Sequence, residues 1–293
     1  MKPGPSLAKS ILLASMGVDE SPRSARDWLV SISLSQQWHS NDSDASEAAE
    51  KWEKPFLHLL RLELSGLNEL GRFSPFDFNS SSPYLIQGSA FIEPRDDAET
   101  KASKRRRAQH NTYATALTRL SPRDFEALCA GLLQSLGVHE PVLTPYSADE
   151  GIDFYGEWRP GGDQSSGIAS AWVQRQLSAW MLGQAKHHSV GRVSTFEIRE
   201  LVGAVELAKG SAYASASEKY ADLRLRVCDP VFYLFFTTGR ISSASWRLIA
   251  SSGIAAMDGS TIANFLAERS IGADQSGVFQ EDAFARWIAT HAS

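Results

Sequence analysis

Two hydrophobic patterns alternate in the second half of the chain and predict a layered α/β domain. Apolar residues recur at helical spacing after Ser121-Pro122 and after Ser194, and these residue types are typical of helix starts. Residues 180–183 and 231–236 are instead almost continuously apolar, which is typical of a strand covered on both faces. Helices around 246–250 and from Ser260, with a short strand over 254–257, continue the alternation. We therefore predict an α/β domain with a mixed central sheet flanked by helices.

The first hundred residues show mainly helical patterns and predict a separate N-terminal domain. Helices are expected over Leu7 to Met16, Ala25 to Trp38 and Ser46 to Leu70, with a polar, acidic break at 41–44. Residues 74–83 are expected to form a loop, and Tyr84 to Ile92 one strand. No zinc-finger spacing, arginine-rich helix or internal repeat is found. The role expected from position is recognition, assembly or regulation.

Two short polar motifs interrupt the apolar strands, Gly151-Ile152-Asp153 and Gln184-Ala185-Lys186. Alternate side chains of a strand share a face, so Gln184 and Lys186 should project together while Ala185 packs on the other side. Asp153 follows a turn-prone segment and begins another apolar strand. Neighbouring strands would then present a carboxylate, an amide oxygen and an ammonium to one point.

This combination of groups is suited to phosphodiester hydrolysis. A carboxylate and a second oxygen ligand favour a hard divalent cation, usually Mg²⁺, which polarises phosphate and acidifies a bound water. A lysine ammonium can stabilise the charge that develops on the phosphate. Because Gln184 stands where a second carboxylate is common, we expect weak metal affinity or reliance on another acid. Singly, each residue is compatible with an ordinary turn or surface position.

A candidate for the additional acid is Glu126, on the helix predicted from Ser121. It lies about 100° from Phe125, at the border of the helix's apolar face, where it would reach the sheet edge or remain solvated. That face is formed by Phe125, Leu128, Cys129, Leu132 and Leu136. The predicted loop acids Asp149 and Glu150 lie close enough in sequence to compete with Asp153 as ligands. Adjacent His187 and His188 should point to opposite faces, which favours a rim or phosphate-contact role over shared metal binding.

The order of these elements resembles the Mrr-like restriction endonucleases of the PD-(D/E)xK nuclease superfamily. The resemblance covers about residues 118–270 and includes the Phe125-Glu126 helix, both motifs, the helix near Ser194, Phe235 to Gly239 and Met257-Asp258-Gly259. It implies that Asp153 binds the metal, Gln184 takes the second ligand position, Lys186 is the catalytic lysine and Glu126 is a helix-borne acid. It also implies the restriction-endonuclease-like α/β fold and DNA cleavage in restriction or antiviral defence, with Mg²⁺ as the cofactor and Mn²⁺ as its substitute. Residues 156–179 and 211–229 are long insertions against the family pattern.

Composition and length set the domain boundaries. The chain has 293 residues of which 43% are hydrophobic, enough for two cores. We expect an N-terminal domain over 1–100, a basic linker over 101–117, the nuclease domain over 118–270 and a tail with a docking helix over 271–293. With two cysteines at no metal-ligand spacing and no apolar run of membrane-spanning length, a cytoplasmic protein is expected.

The formal net charge of −5 is unusual for a DNA-binding enzyme, so positive charge must be concentrated locally. The main cluster is the run Lys101, Lys104, Arg105, Arg106 and Arg107, with Arg175, Arg192 and Arg240 near the predicted catalytic strands. A solvated linker is the alternative interpretation of the run. Weak attraction to DNA also fits a homo-oligomer or a partner protein bound through the N-terminal domain. Two other functions stay open: a structure-selective junction or repair nuclease, and a non-catalytic nucleic-acid-binding or assembly subunit.

Overall fold

The computed structural model describes residues 2–144, 151–159, 177–188, 192–213, 223, 225, 226 and 228–292. The predicted loop acids Asp149 and Glu150, and Arg175, lie outside the described residues. The chain divides into two compact units. The first comprises Met1–Asn111, Asn264–Ser270 and Gln275–Val278, and the second comprises Thr112–Ala263, Ile271–Asp274 and Phe279–Ser293. Within the described ranges no helix is long and apolar enough to cross a membrane.

The first unit packs three helices around an apolar core and adds a small antiparallel sheet in the order β1-β3-β2. Its elements are α1 (Pro5–Ser15), β1 (Arg23–Ser24), α2 (Ala25–Ser35), α3 (Asp42–Glu69), β2 (Phe76–Phe78), β3 (Leu85–Gly88) and α4 (Ala98–Arg107). Leu12, Leu29, Phe56 and Leu60 are buried where the three long helices meet. The predicted mainly helical region is therefore confirmed.

Two predictions for the first unit were wrong in detail. The break between α2 and α3 lies at 36–41, so only Asn41 of the predicted break at 41–44 belongs to it. Asn41 is the N-cap of α3, and its Oδ1 accepts a hydrogen bond from the Asp44 amide at 2.9 Å. The aspartates of the first turn are stabilised by the positive end of the helix dipole. The predicted loop 74–83 contains β2, whose Phe76 is fully buried in the core.

The basic run is helical and does not form an extended linker. Asp97 accepts a hydrogen bond from the Thr100 amide at 2.7 Å and starts α4, and the basic residues occupy its last turn. Positive side chains at the carboxyl end of a helix are favoured by the helix dipole. After two residues the chain continues into α5 (His110–Arg119). The expected linker over 101–117 is corrected to two consecutive helices.

The second unit is built on a five-stranded mixed sheet with flanking helices, which confirms the predicted fold class. After α5 its elements are α6 (Pro122–Ser135), β4 (Val138–Leu143), β5 (Phe154–Trp158), β6 (Ala179–Lys186), β7 (Arg192–Val193), α7 (Thr195–Tyr213), β8 (Val231–Thr237), β9 (Arg240–Ile241), α8 (Ser243–Ser252), β10 (Ala255–Met257), α9 (Gly259–Glu268) and α10 (Glu281–Ala289). The sheet order is β10-β8-β6-β5-β4. The short strands β7 and β9 form a separate parallel pair.

Helix boundaries in this unit follow local capping. Ser121 accepts a hydrogen bond from the Asp124 amide at 3.1 Å and starts α6 as predicted. Leu136 does not belong to the buried face of α6, because it is the C-cap residue and is 38% exposed. The helix expected from Ser260 starts one residue earlier, since the Asp258 carboxylate accepts from the Thr261 amide at 3.0 Å. The predicted tail helix is α10.

Helix α10 packs closely on α6 beside Gly131. A Cβ atom at Gly131 of α6 would lie 2.4 Å from the ring of Trp287 on α10, so glycine at this position makes room for the indole. The His291 ring forms a 2.6 Å hydrogen bond with Gln134 beside this contact. The helix expected in the tail is α10, and it packs on α6 at these two contacts.

Strand direction brings the polar motifs to one edge of the sheet. Strands β6, β8 and β10 are mutually parallel, so Lys186, Thr237 and Met257 end at the same side. Strand β5 runs antiparallel to β6, so its first residues begin at that side. We call this side, marked by Asp153, Lys186 and Thr238, the carboxyl edge. In open α/β sheets such an edge commonly holds the functional site.

Candidate active site

Gly151 allows the first motif to approach the sheet closely. Its φ of 75° lies in the left-handed region that favours glycine. A Cβ atom there would lie 3.0 Å from the Ala204 Cβ of α7 and 3.3 Å from the Gln184 Nε2. The following Ile152 is buried in the core between the sheet and α7. The glycine therefore turns the chain inward just before Asp153.

Asp153 is fixed against β6 by its own backbone and side chain. Its amide donates to the Gly183 carbonyl oxygen at 2.9 Å, and its Oδ2 accepts from the Ala185 amide at 2.7 Å. Because Phe154 is the register partner of Gly183, the preceding Asp153 lies opposite Gln184. A Cβ atom at Gly183 would lie 2.2 Å from the Phe154 ring, so this glycine is required for the close packing of the two strands.

Gln184 is a buried polar residue with an unsatisfied atom. It is 1% exposed, and its Oε1 has no hydrogen-bond partner among the described residues. A buried carbonyl oxygen without a partner costs about 1–3 kcal/mol. Two positions along the strand, Lys186 projects from the same face of β6. An amide oxygen in this condition is a suitable ligand for a hard cation.

The environment of Asp153 disfavours its charged form. Burial raises its pKa from the ordinary value of 3.8 to about 6, although the hydrogen bond from the Ala185 amide acts in the opposite direction. The negative charge of Glu126 raises the pKa further, whereas the positive charges of Lys186 and Arg123 lower it. These interactions place Glu126, Lys186 and Arg123 within electrostatic reach of Asp153. A bound cation would stabilise the ionised carboxylate.

Glu126 lies at the start of α6 on the side toward Asp153. Its Oε2 accepts a 2.7 Å hydrogen bond from Arg123, and the same Arg123 nitrogen donates to the Thr144 carbonyl oxygen at 3.2 Å. Its side chain is 18% exposed. The structure therefore brings the helix-borne acid toward the carboxyl edge, while binding it to an arginine. The charges of Asp153 and Glu126 also contribute to the raised pKa of buried Cys129, after the larger effect of burial.

The side chains after Gln184 alternate between the two faces of the sheet. The Lys186 ammonium lies 3.6 Å from Glu200 Oε2 on α7. His188 Nε2 lies 3.1 Å from Glu197 Oε1 on the same helix. The His187 ring contacts the Phe125 ring of α6, with centroids 6.0 Å apart. The prediction that the two histidines point to opposite faces is confirmed.

The candidate DNA-contacting residues differ in their exposure and in whether they form ion pairs with acidic side chains of the protein. Arg192 and Arg240 are both exposed and are register partners in the β7–β9 pair. In the first unit, Lys104 forms an ion pair with Asp96 at 2.9 Å, and Arg107 forms one with Glu268 at 2.8 Å. Arg105 is exposed, and Arg106 is half-buried. Contact with DNA stays a prediction for all six residues: Lys104, Arg105, Arg106, Arg107, Arg192 and Arg240.

Sequence reasoning missed three residues at this edge: Arg123, Glu197 and Glu200. Glu197 forms a capping box with Ser194, since the amide and hydroxyl of Ser194 donate to Glu197 Oε2 at 2.6 and 3.0 Å. The sequence does hold an indication of the further role. Two acids three residues apart lie on one face of the helix that follows the predicted catalytic strand.

The candidate metal ligands are an aspartate and an amide. Asp153 and Gln184 are the predicted pair, and Glu126 is the additional acid nearby. Within the described residues no group of three or more histidine, cysteine, aspartate or glutamate side chains is arranged to hold a metal ion. The predicted ligand roles of Asp153 and Gln184, like the catalytic role of Lys186, stay predictions.

Comparison with known proteins gives a match over the region that contains both motifs. Two solved structures are similar to this chain at 16% sequence identity. MspJI restriction endonuclease in complex with a 27-mer oligonucleotide covers 68% of this chain at a TM-score of 0.39. The DNA modification-dependent restriction endonuclease AspBHI covers 62% at a TM-score of 0.40. This chain spans 40% of the length of each. No curated protein matches. Residues 117–217 match the restriction endonuclease family Mrr_cat and form a domain of that family.

Proposed function

We propose that this protein is a Mg²⁺-dependent endonuclease that hydrolyses phosphodiester bonds in DNA. The observation that carries the proposal is the unsatisfied Gln184 Oε1, buried beside a desolvated Asp153 at the carboxyl edge. An unsatisfied buried amide oxygen beside a carboxyl group of raised pKa is typical of a functional site. Membership of residues 117–217 in a restriction endonuclease family supports the same activity.

The donor set fits a hard divalent cation. Asp153 and the Gln184 amide oxygen would hold it, with Glu126 as a nearby acid, and oxygen ligands of this kind suit Mg²⁺ or Mn²⁺. When bound, such a cation polarises the scissile phosphate and acidifies a water. The amide bears no charge, so fewer negative charges surround the cation than in a site with two carboxylates on the strands. Cation affinity should therefore be modest without DNA, whose phosphate adds negative charge.

Lys186 supplies positive charge on the same face. Its ammonium has three donors and would hydrogen-bond a phosphate oxygen that becomes more negative in the transition state. Arg192 and Arg240, adjacent across β7 and β9, would bind the DNA backbone without reading bases. The non-catalytic alternative predicts that Asp153 and Lys186 diverge. Their electrostatic coupling favours a catalytic site.

A plasmid cleavage assay tests this function. Supercoiled plasmid should be cut in the presence of Mg²⁺ and not after chelation with EDTA. Asp153→Asn and Lys186→Ala should each lower the rate at least about 10³-fold, because each removes a group that acts in the transition state. The matched control is Lys209→Ala, which removes a lysine of α7 that is paired with Glu206. Wild-type turnover in either site variant contradicts the proposal.

The biological role proposed is restriction or antiviral defence. Expression in a bacterial host should lower the plating efficiency of incoming phage or the uptake of plasmid, and Lys186→Ala should abolish the effect. Substrates with modified bases, single strands and four-way junctions distinguish restriction from structure-selective repair. Preferential cutting of the junction would replace restriction by the repair function with the same chemistry.

A further inference from the structure

One face of α7 lies along the end of the proposed catalytic strand. Glu197, Glu200 and Ala204 follow each other at spacings of three and four residues, so they share a face of the helix. Each makes a different contact at the carboxyl edge. Glu197 contacts His188, Glu200 contacts Lys186, and the Cβ of Ala204 lies where a side chain at Gly151 would be. The helix therefore touches both polar motifs.

The Glu197–His188 and Glu200–Lys186 contacts lie side by side and connect α7 to the end of β6. Residues 186 and 188 project from the same face of the chain at the end of β6, and residues 197 and 200 are neighbours on α7. The Glu197 side chain is fixed in place, because its second carboxylate oxygen accepts hydrogen bonds from the amide and hydroxyl of Ser194. The helix itself is held by buried Ile198, Leu201 and Val205 in the core. These acids are thus carried by a rigid support.

A lysine at such a site needs a partner that restricts it. Its four-carbon stem has many rotamers, and fixing them costs up to about 2 kcal/mol. Lys186 is 30% exposed, so burial alone does not determine the position of its ammonium. At 3.6 Å, Glu200 attracts the ammonium toward the face of β6 that also bears Gln184. A misplacement of about 1 Å at a catalytic group can lower a rate by about 100-fold.

We propose that Glu200 is a positioning residue that holds the Lys186 ammonium at the carboxyl edge, ready to contact a DNA phosphate. This inference rests on the proposed nuclease function. The neighbouring Glu197 contacts the His188 imidazole at 3.1 Å, so α7 holds two basic side chains in a row at the end of β6. The chemical partner of this array is the phosphodiester anion.

Glu200→Gln is the decisive variant, with Glu206→Gln as the matched control on the same helix. Glu206 is also paired with a lysine, Lys209 at 3.1 Å, so both changes remove one charge and one ion pair. We expect Glu200→Gln to lower kcat by about 10- to 100-fold, with the DNA Kd within about twofold of wild type. Glu206→Gln should stay within about threefold of wild type in kcat. Glu200→Asp, which keeps the charge, should restore part of the rate.

Calorimetric titration with Mg²⁺ separates positioning from ligation. Mg²⁺ affinity in Glu200→Gln should equal that of wild type. A loss of affinity of about tenfold or more would overturn the positioning role, because Glu200 would then be a metal ligand. Unchanged kcat in Glu200→Gln, with an active wild type, would also overturn it.

A chemical readout keeps this inference distinguishable from the proposed function. Acetylation of Lys186, followed peptide by peptide with mass spectrometry, needs no DNA cleavage. Loss of the ion pair in Glu200→Gln should accelerate acetylation of Lys186 by about two- to fivefold, and Lys209 should respond only to Glu206→Gln. If wild type fails to cleave DNA but Lys186 responds as expected, the nuclease function fails while the Lys186–Glu200 pairing stands. An unchanged Lys186 rate overturns the pairing itself.

Discussion

Two clusters of buried polar side chains, one in each unit, are built in opposite ways. In the first unit Glu93 is 6% exposed and accepts hydrogen bonds from the amide and hydroxyl of Ser80 and, at 2.7 Å, from Gln87. Gln87 in turn accepts from Asn79 at 2.6 Å, and Lys104 lies 3.9 Å from Glu93. We call Asn79, Ser80, Gln87, Glu93 and Lys104 the Glu93 cluster. At the carboxyl edge, buried Gln184 has an oxygen without a partner among the described residues.

The pKa values of the central acids follow this difference. Burial opposes the ionisation of both Glu93 and Asp153. In the Glu93 cluster the hydrogen bonds from Ser80 and Gln87 and the charge of Lys104 outweigh burial, so the pKa of Glu93 is lowered. Among the described residues one backbone amide, that of Ala185, donates to the Asp153 carboxylate, and the nearby charge of Glu126 adds to the effect of burial, so the pKa of Asp153 is raised to about 6. Burial alone therefore does not determine the sign; the partners do.

The comparison separates a structural cluster from a functional one. Groups that satisfy each other stabilise the fold and have little remaining capacity for a ligand. Groups left unsatisfied cost stability, and a protein retains them where a ligand supplies the missing interaction. The Glu93 cluster is of the first kind. The carboxyl edge, with a desolvated carboxylate and an amide oxygen unpaired among the described residues, has the features of the second kind.

The largest effect is expected from removing the centre of the Glu93 cluster. Glu93→Ala leaves Gln87, Ser80 and the Lys104 ammonium without their buried acceptor, so the free energy of unfolding should fall by about 3–5 kcal/mol. Urea denaturation followed by circular dichroism measures it. Glu99→Ala, a change of an exposed acid nearby on α4, should cost at most about 0.5 kcal/mol. Equal effects of the two variants would show that the cluster is not structural.

Replacing Asp153 is expected to change the free energy of unfolding in the opposite direction, toward higher stability. Its folded pKa of about 6 lies above the ordinary 3.8, so its ionisation costs the metal-free protein up to about 3 kcal/mol at pH 8. Its contribution favours the folded state below pH 4 and is lost as the pH rises through 6. Asp153→Asn should therefore stabilise the metal-free protein at pH 8 and have no effect near pH 4. Unfolding measured in EDTA across this range tests the sign.

Asp229→Asn provides a control with the reverse pH dependence. Although burial opposes its ionisation, hydrogen bonds from Arg226 lower the pKa of Asp229. Its stabilisation is present at neutral pH and is lost as the pH falls below the ordinary carboxyl range. Asp229→Asn should thus destabilise the protein at pH 8. Destabilisation by both variants at pH 8 would contradict the assignment of Asp153 as a desolvated functional acid.

A smaller effect distinguishes the two buried glutamines. Gln184→Leu removes an amide whose oxygen has no hydrogen-bond partner in the described part of the chain, so the free energy of unfolding should increase or fall by no more than about 1 kcal/mol. Gln87→Leu breaks hydrogen bonds to Asn79 and Glu93 and should cost about 2–3 kcal/mol. Thermal unfolding in EDTA of both variants makes the comparison. A large loss in Gln184→Leu would mean that its amide is structural.

The local features of the nuclease domain were predictable from sequence because they depend on near neighbours. Ser121 and Ser194 start helices through side-chain hydrogen bonds three residues away. The alternation of Gln184 and Lys186 on β6, and the start of β5 after Asp153, follow from strand geometry. The match of residues 117–217 to a restriction endonuclease family confirms the resemblance drawn from those motifs.

Features that depend on distant contacts were not predictable. The role of Glu200 depends on α7 lying beside the end of β6, which no local pattern encodes. Strand β2 was taken for a loop because its serine-rich and proline-containing surroundings outweigh its two phenylalanines, one of which packs in the core. The basic run was expected to be a linker, because its high charge leaves no apolar pattern of helical spacing. The helix that Asp97 caps was therefore not predicted. Asp153's raised pKa also requires tertiary packing.

The smallest effect concerns the DNA contacts of helix α4. Its basic residues differ in whether an acidic side chain of the protein already pairs with them. Arg107 is paired with Glu268, whereas Arg105 is exposed. If α4 meets DNA phosphates, Arg105→Ala should reduce the slope of log affinity against log salt by about 0.9, the value for one phosphate contact. Arg107→Ala, with the same loss of charge on the same helix, should leave the slope unchanged. Fluorescence anisotropy with labelled duplex DNA between about 50 and 200 mM salt measures both. An unchanged slope in Arg105→Ala would remove α4 from the DNA-binding surface, and Arg192 and Arg240 would then be the basic residues of that surface. Equal changes of slope in both variants would mean that Arg107 leaves Glu268 to bind a phosphate.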